Sequence, residues 1–149
     1  MSADAAKKII RFGHSPDADD AFMFYGLAKE IVEVPGYRVE HVMQDIQSLN
    51  QRALAQGDLE ITAISTAVYP KIAALYRIMS TGASMGRSYG PQIVSKAPAS
   101  ANELAGQRLA IPGDHTTAFL VLRLYLGDRA RHIQFVPVHF EHIPQAILN

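Results

Sequence analysis

The stretch IIRFGHSPDADDAFMFYG (9–26) decides the fold. Its first five residues, IIRFG (9–13), form a short run rich in Ile and Phe that closes on glycine, as a strand does. From Asp19 onward, Ala21, Phe22, Phe24, Tyr25, Leu27 and Ala28 recur at near-helical spacing. That spacing predicts a helix over 19–31, with Phe22, Phe24 and Tyr25 on its core face. A strand passing through a polar turn into a helix is the building unit of an α/β fold.

The turn itself, within GHSPDADDAF (13–22), carries the first chemistry. In open α/β sheets ligands bind beyond the carboxyl ends of strands. A helix N-terminus there offers unpaired N–H groups and the positive end of the macrodipole. Ser15, Asp17 and Asp19 all suit an N-cap, and Pro16 suits a first turn. Two readings stand side by side. The residues cap the helix and nothing more, or Ser15 or His14 contacts a ligand carboxylate while acids such as Asp20 orient hydroxyls. A divalent cation is not expected, because the glycine and distal glutamate of a calcium loop are missing.

Working outward, the pattern repeats. YRVEHVM (37–43) alternates as a second strand, and 48–56 reads as a helix stopped by Gly57. LEITAIS (59–65) predicts a third strand, 67–75 a third helix, and RIMSTGAS (77–84) a fourth, weaker strand. Gly82, Gly86, Gly90 and Pro91 form a bend before QIVSK (92–96) that reads as a hinge. The expected division is therefore lobe one over 1–95 and a partial lobe two over 96–149. APASANELAG (97–106) reads as a surface connection with a brief capped turn. QRLAIPG (107–113), 116–126 and HIQFVPV (132–138) follow as strand, helix and strand. A last helix beginning near His142 or Pro144 is still amphipathic at Asn149, so the chain is expected to be part of a longer protein.

The polar strand–helix junction occurs twice more. In AISTAVYP (63–70), Ser65 and Thr66 stand where an N-cap belongs. In IPGDHTTAF (111–119), Gly113 permits a tight turn, and His115, Thr116 and Thr117 begin a helix. Three such junctions split across a hinge predict a cleft that closes on a small anion; the plainer alternative is three well-capped helices. His139 and His142 lack a third ligand and read as surface or core-edge residues, whereas His14 and His115 lie at junctions. No nucleophile motif, phosphate loop or dinucleotide fingerprint is present.

Composition narrows the classes further. Of 149 residues, 48% are hydrophobic and 19% charged, a globular balance. Fourteen basic residues match 14 acidic ones, leaving no excess to neutralise a phosphate backbone, so nucleic acid is not an expected partner. Zero net charge also leaves little repulsion between copies, which favours a homo-dimer. Cysteine is absent, which removes disulfides and thiolate metal sites. No apolar run of membrane-spanning or signal-peptide length occurs, so no membrane partner and a cytoplasmic location are expected.

GHSPDADDAFMFYGL, SLNQRALAQGDLEITAIS, ASMGRSYGP and IPGDHTTAFLVLRLY, in this order, resemble the menaquinone-biosynthesis enzymes of the futalosine route. The 1,4-dihydroxy-6-naphthoate synthases are the nearest group, with Ser15, Pro16, Asp20, Phe22, Phe24 and Tyr25 matching their first motif. The resemblance implies an α/β, periplasmic-binding-protein type II-like two-lobed fold, incomplete in this chain. It implies a cytoplasmic lyase that converts cyclic dehypoxanthine futalosine to 1,4-dihydroxy-6-naphthoate with no metal and no organic cofactor. Its ligand is a small-molecule carboxylate. Carried over, the substrate contacts fall on Ala63, Ile64 and Ser65 and on Thr116 and Thr117, with His14, Ser15, Asp20, Thr66 and His115 as lesser candidates. The family's general-base histidine is expected beyond Asn149, so no catalytic residue is assigned and the chain alone is expected to be inactive. Two departures stand out: Ala63 stands at a position where related enzymes can carry a longer polar or basic side chain, and Asp17 and Asp19 make the first turn more acidic than usual. Chorismate dehydratase of the same pathway, or a non-catalytic anion-binding protein of the same fold, are the alternatives.

Overall fold

The structure, a computed structural model, describes residues 7–148. By compactness the chain forms two units. The first runs to Ser65 and resumes over Tyr69–Ser84; the second takes Thr66–Val68 and the chain from Met85. This division falls earlier than the expected one after residue 95.

The first unit is organised around β1 (Lys8–His14), the central strand of a three-stranded parallel sheet ordered β2-β1-β3. Parallel strands need crossover helices, which is why each strand here is followed by a helical segment. β1 leads into α1 (Ala18–Ala28), and β2 (Tyr37–Met43) into α2 (Ile46–Ala55). β3 (Ile61–Thr62) leads into the single turn α3 (Tyr69–Ile72). Register pairs Phe12 with His41 on β2 and with Ile61 on β3. Alternation then sends Phe12 and His14 to one face and Gly13 to the other. Phe24 of α1 covers the first face, its ring edge-on to Phe12 at 6.1 Å. Leu49 of α2 and Leu59 cover the second, both buried, and burying Leu49 contributes roughly 2 kcal/mol. Asp45 caps α2, its carboxylate accepting from the Gln47 and Ser48 N–H groups at 3.0 and 3.1 Å.

Five expectations need correction here, on the core face and the end of the first helix, the third strand, the third helix and the fourth strand. Phe22 and Tyr25 are not core residues; they are 86% and 56% exposed. α1 buries Asp20 and half-buries Phe24, one turn apart, and at about 100° per residue Phe22 lies on the far side. The helix stops at Ala28 because the Ile31 and Val32 N–H groups both turn back to the Gly26 carbonyl and Glu30 takes φ +53°. No strand forms over 77–84: this stretch has no ladder partner, and Ile78 and Met79 are exposed. The third strand is cut to two residues because Ser65 leaves the ladder to bond the Asn50 side chain. Tyr76 turns its hydroxyl to the Leu59 carbonyl at 3.0 Å, just after the shortened third helix.

On the exposed edge of this unit, Arg11 grips Glu60 by a two-pronged ion pair, Nε to Oε2 at 3.0 Å and Nη2 to Oε1 at 2.8 Å. The Arg11 backbone N–H adds a third donor. These bonds pull the Glu60 carboxyl from 4.5 to about 2. A depressed carboxylate stabilises the fold above its ordinary value, and that contribution drains away as pH falls from 4.5 through about 2. Urea midpoints of the protein and of Glu60→Gln are therefore expected to differ slightly at neutral pH and to converge by pH 2. A gap that widens on acidification would contradict this.

The second unit has its own sheet, β4 (Arg108–Ile111) paired in parallel with β5 (Gln134–Pro137). Between them lie α4 (Thr117–Leu126) and a 3-10 turn over Gly127–His132; a short α5 (Ile143–Leu148) follows. Leu104, Leu109, Leu126 and Ile133 form the core, with Leu122, Ala130 and Phe135 packed against it. Ser100 and Glu103 form the brief capped turn foreseen over 97–106, the carboxylate accepting from the Ser100 N–H at 2.7 Å. α4 is apolar nearly all round, yet Leu120, Val121, Leu124 and Tyr125 stay exposed. No helix among the described residues is long and apolar enough to cross a membrane.

Candidate functional site

In the first unit, the polar residues collect at the carboxyl end of the sheet, as the strand–turn–helix pattern requires. His14 and Ser15 are each 5% exposed, Asp20 7% and Ser65 9%. Buried polar groups must find partners, and each of these has one. The Ser15 N–H donates to Asp20 Oδ2 at 2.6 Å, and Ser15 Oγ–H donates to Asp17 Oδ2 at 2.8 Å. The Asp17 N–H returns a bond to Ser15 Oγ at 3.2 Å. Asp17 occupies the N-cap position of α1 but makes no side-chain cap; its carboxylate is engaged with Ser15 instead. Both donors of Ser15 are thus spent inside the protein. The junction is a closed knot in which both acids bond to the serine.

Ser65 is held differently. Its N–H donates to Asn50 Oδ1 at 2.8 Å, and its Oγ accepts from Asn50 Nδ2 at 3.0 Å. The hydroxyl proton of Ser65 remains for an acceptor. Asn50 is fully buried on α2 and was missed by sequence reasoning. Its signal was an amide beside Leu49 and three residues before Ala53, on the buried face of the helix. Ala63 and Ile64 are half-buried, and the Ala63 N–H donates to the Gly13 carbonyl at 2.7 Å.

A second residue missed from sequence is His41. It occupies the phase of β2 shared with Val39 and Met43, an otherwise apolar phase, and that was the available signal. His41 Nδ1 lies 2.9 Å from His14 Nε2, and the His14 ring stacks on Phe24 at 4.6 Å. Burial first, and the neighbouring His14 second, push the His41 imidazole below its usual value.

In the second unit, the β4–α4 junction has the geometry foreseen for 111–119. Gly113 adopts φ +145°, a conformation that favours glycine. Thr116, 3% exposed, is the N-cap: its hydroxyl donates to the Gly113 carbonyl at 2.8 Å and accepts from the Phe119 N–H at 3.2 Å. Both of its hydroxyl functions are in use. Thr117 Oγ1 accepts from the Ala67 N–H at 3.3 Å, which leaves its own proton to donate. Thr66 is exposed and His115 half-buried. His139 stacks on Phe140 at 5.5 Å, and no group of three or more metal-ligating side chains occurs among the described residues.

A family model described as menaquinone biosynthesis matches residues 10–149, nearly the whole of this arrangement. The chain belongs to the menaquinone biosynthesis family. Within that family it is 38% identical over 133 residues to a 1,4-dihydroxy-6-naphthoate synthase of Thermus thermophilus, covering 89% of this chain and 45% of the relative. A Streptomyces coelicolor protein of the same name is 30% identical over 129 residues, covering 86% of this chain and 43% of the relative. The chain thus spans a little under half the length of these relatives. A crystal structure of an Archaeoglobus fulgidus protein superposes with a TM-score of 0.84 at 43% identity, covering 94% of this chain and 50% of the other.

Proposed function

We propose that this protein serves menaquinone biosynthesis as a lyase that converts cyclic dehypoxanthine futalosine to 1,4-dihydroxy-6-naphthoate. The observation that carries the reading is the 38% identity to the Thermus thermophilus 1,4-dihydroxy-6-naphthoate synthase, maintained over 89% of this chain. With it we propose the two-lobed architecture of the periplasmic-binding-protein type II kind and a cytoplasmic location.

The side chains support a carboxylate-bearing substrate and divide the proposed contacts into two kinds. Ser65 and Thr117 each accept a neighbour's N–H while retaining a hydroxyl proton to donate, which suits an anionic oxygen. Thr116, Ser15 and Asp20 act as framework, because their bonds are made within their own junctions. Ala63 and Ile64 line the strand end beside Ser65. His14 belongs with the framework, both of its ring nitrogens being engaged within the protein, and Thr66 and His115 are lesser contacts. The general base implied by the resemblance is not assigned to any of the six histidines.

Incubating the full-length protein, rather than these 149 residues alone, with cyclic dehypoxanthine futalosine and following naphthoate fluorescence tests the proposal. Product is expected with no added metal or organic cofactor. Thr117→Val is expected to raise KM about tenfold, the worth of one hydrogen bond to a charged group, with a smaller effect on kcat. Absence of product at high enzyme concentration would overturn the reading.

A further inference from the structure

The pairing of His14 with His41 is not explained by capping or by core packing. His14 Nδ1 lies 3.0 Å from the Ser15 carbonyl, which can only accept, so Nδ1 carries the proton. In the neutral ring His14 Nε2 is then a bare acceptor, and the proton in the 2.9 Å contact belongs to His41 Nδ1. It follows that His41 Nε2 carries a lone pair. That nitrogen is buried without a hydrogen-bond partner. An unpaired acceptor in that place costs less than an unpaired N–H, which would have no carbonyl or carboxylate to meet.

We propose that His41 is a positioning residue for the substrate site at the end of β1. Through one hydrogen bond to Nε2 it orients the His14 ring, and the His14 Nδ1–H in turn holds the Ser15 carbonyl. The chain of bonds runs from β2 through β1 to the turn: His41 Nδ1–H to His14, His14 Nδ1–H to the Ser15 carbonyl, and the Ser15 N–H to Asp20. Phe12 and Phe24 enclose it with rings at 6.5 Å from His41 and 4.6 Å from His14. The carboxylates near it, Asp17 and Asp20, are on the Ser15 side and bond to Ser15. Adding a proton to the pair would place an N–H on His41 Nε2 whichever ring takes the charge, and that nitrogen is buried with no acceptor to meet it. Both Ser15 donors are engaged inside the protein, so the turn is held from within, and His41 stands at the start of that chain of bonds. The inference rests on reading this strand end as part of the substrate site.

The test combines a ring-nitrogen readout with kinetics. In protein labelled with 15N-histidine, long-range 15N–1H correlation spectra are expected to show His14 protonated at Nδ1 and bare at Nε2. In His41→Phe, which keeps a ring but removes the donor, the His14 Nε2 resonance is expected to shift as its hydrogen bond is lost, and KM of the full-length protein for cyclic dehypoxanthine futalosine to rise about tenfold with kcat changed less. His41→Asn, which returns an N–H near the Nδ1 position, is expected to restore both. A wild-type His14 protonated at Nε2 would overturn the proposal, as would a His41→Phe protein with an unchanged His14 Nε2 resonance or an unchanged KM. If His41→Phe does not fold, the wild-type and His41→Asn spectra still decide. A His14 Nε2 resonance that shifts in His41→Phe, in a protein that gives no product, would support the positioning role and sink the proposed activity, so the two failures are separable.

Discussion

Gly13→Ala is expected to lower stability by about 2–3 kcal/mol, although the change adds a single methyl group. Gly13 lies in the middle of the sheet, between β2 and β3. A Cβ there would stand 2.6 Å from Leu59 Cδ1, 2.8 Å from Thr62 Oγ1 and 2.9 Å from Leu49 Cδ2. Leu49 and Leu59 are 0% and 4% exposed, so neither can swing into solvent to relieve the contact. The carbonyl of Gly13 also accepts from the Ala63 N–H, so a shift of β1 would carry the β3 junction with it. Urea midpoints measure the loss. In a Leu59→Ala background, which removes the nearest clashing atom, Gly13→Ala is expected to cost less than in the wild type. Strictly additive losses would show that the methyl group is accommodated elsewhere.

The second large effect is expected at Asn50. Asn50→Ala removes both bonds to Ser65 and strands the buried Ser65 N–H, a loss of about 2–4 kcal/mol. Asn50→Asp distinguishes lost bonds from lost packing, since the two side chains have nearly the same shape. Ionised, aspartate keeps the acceptor for the Ser65 N–H but places a charge at a position with no exposure. Protonated, it recovers a donor toward Ser65 Oγ. The deficit of Asn50→Asp relative to wild type is therefore expected to shrink as pH is lowered, whereas that of Asn50→Ala stays flat. Urea melts at several pH values check this, and parallel pH profiles for the two variants would refute it.

Much of the local order was legible in the residues. The YRVEHVM strand is found at its foreseen bounds, Tyr37–Met43, because a clean alternation over seven residues needs no distant information. The 116–126 helix is found with Thr116 as its cap, because the capping preference is itself local. RIMSTGAS failed for the opposite reason: its residues tolerate a strand, but a strand exists only beside a partner, and this one has none. The aromatic group of α1 failed in a related way. Phe22, Phe24 and Tyr25 were all apolar enough for a core, and which of them is covered depends on where β1 lies.

The same boundary runs through the site. The opening stretch, 9–26, by itself determined a strand, an acidic polar turn and a helix, since β preference, capping and helical period all act within a few residues. The order of residues around it was enough to name the α/β class and the three junctions. What those junctions do with their polar groups was decided by tertiary structure. Ser15 is consumed by Asp17 and Asp20, Ser65 is held by an asparagine 15 residues away, and His14 is paired with a histidine 27 residues away. Propensity and period carry no information about such pairings, because a hydrogen bond is set by distance and angle in space. Only the parallel register of β1 with β2, and the packing of α2 beneath the sheet, bring Asn50 and His41 to the residues they hold.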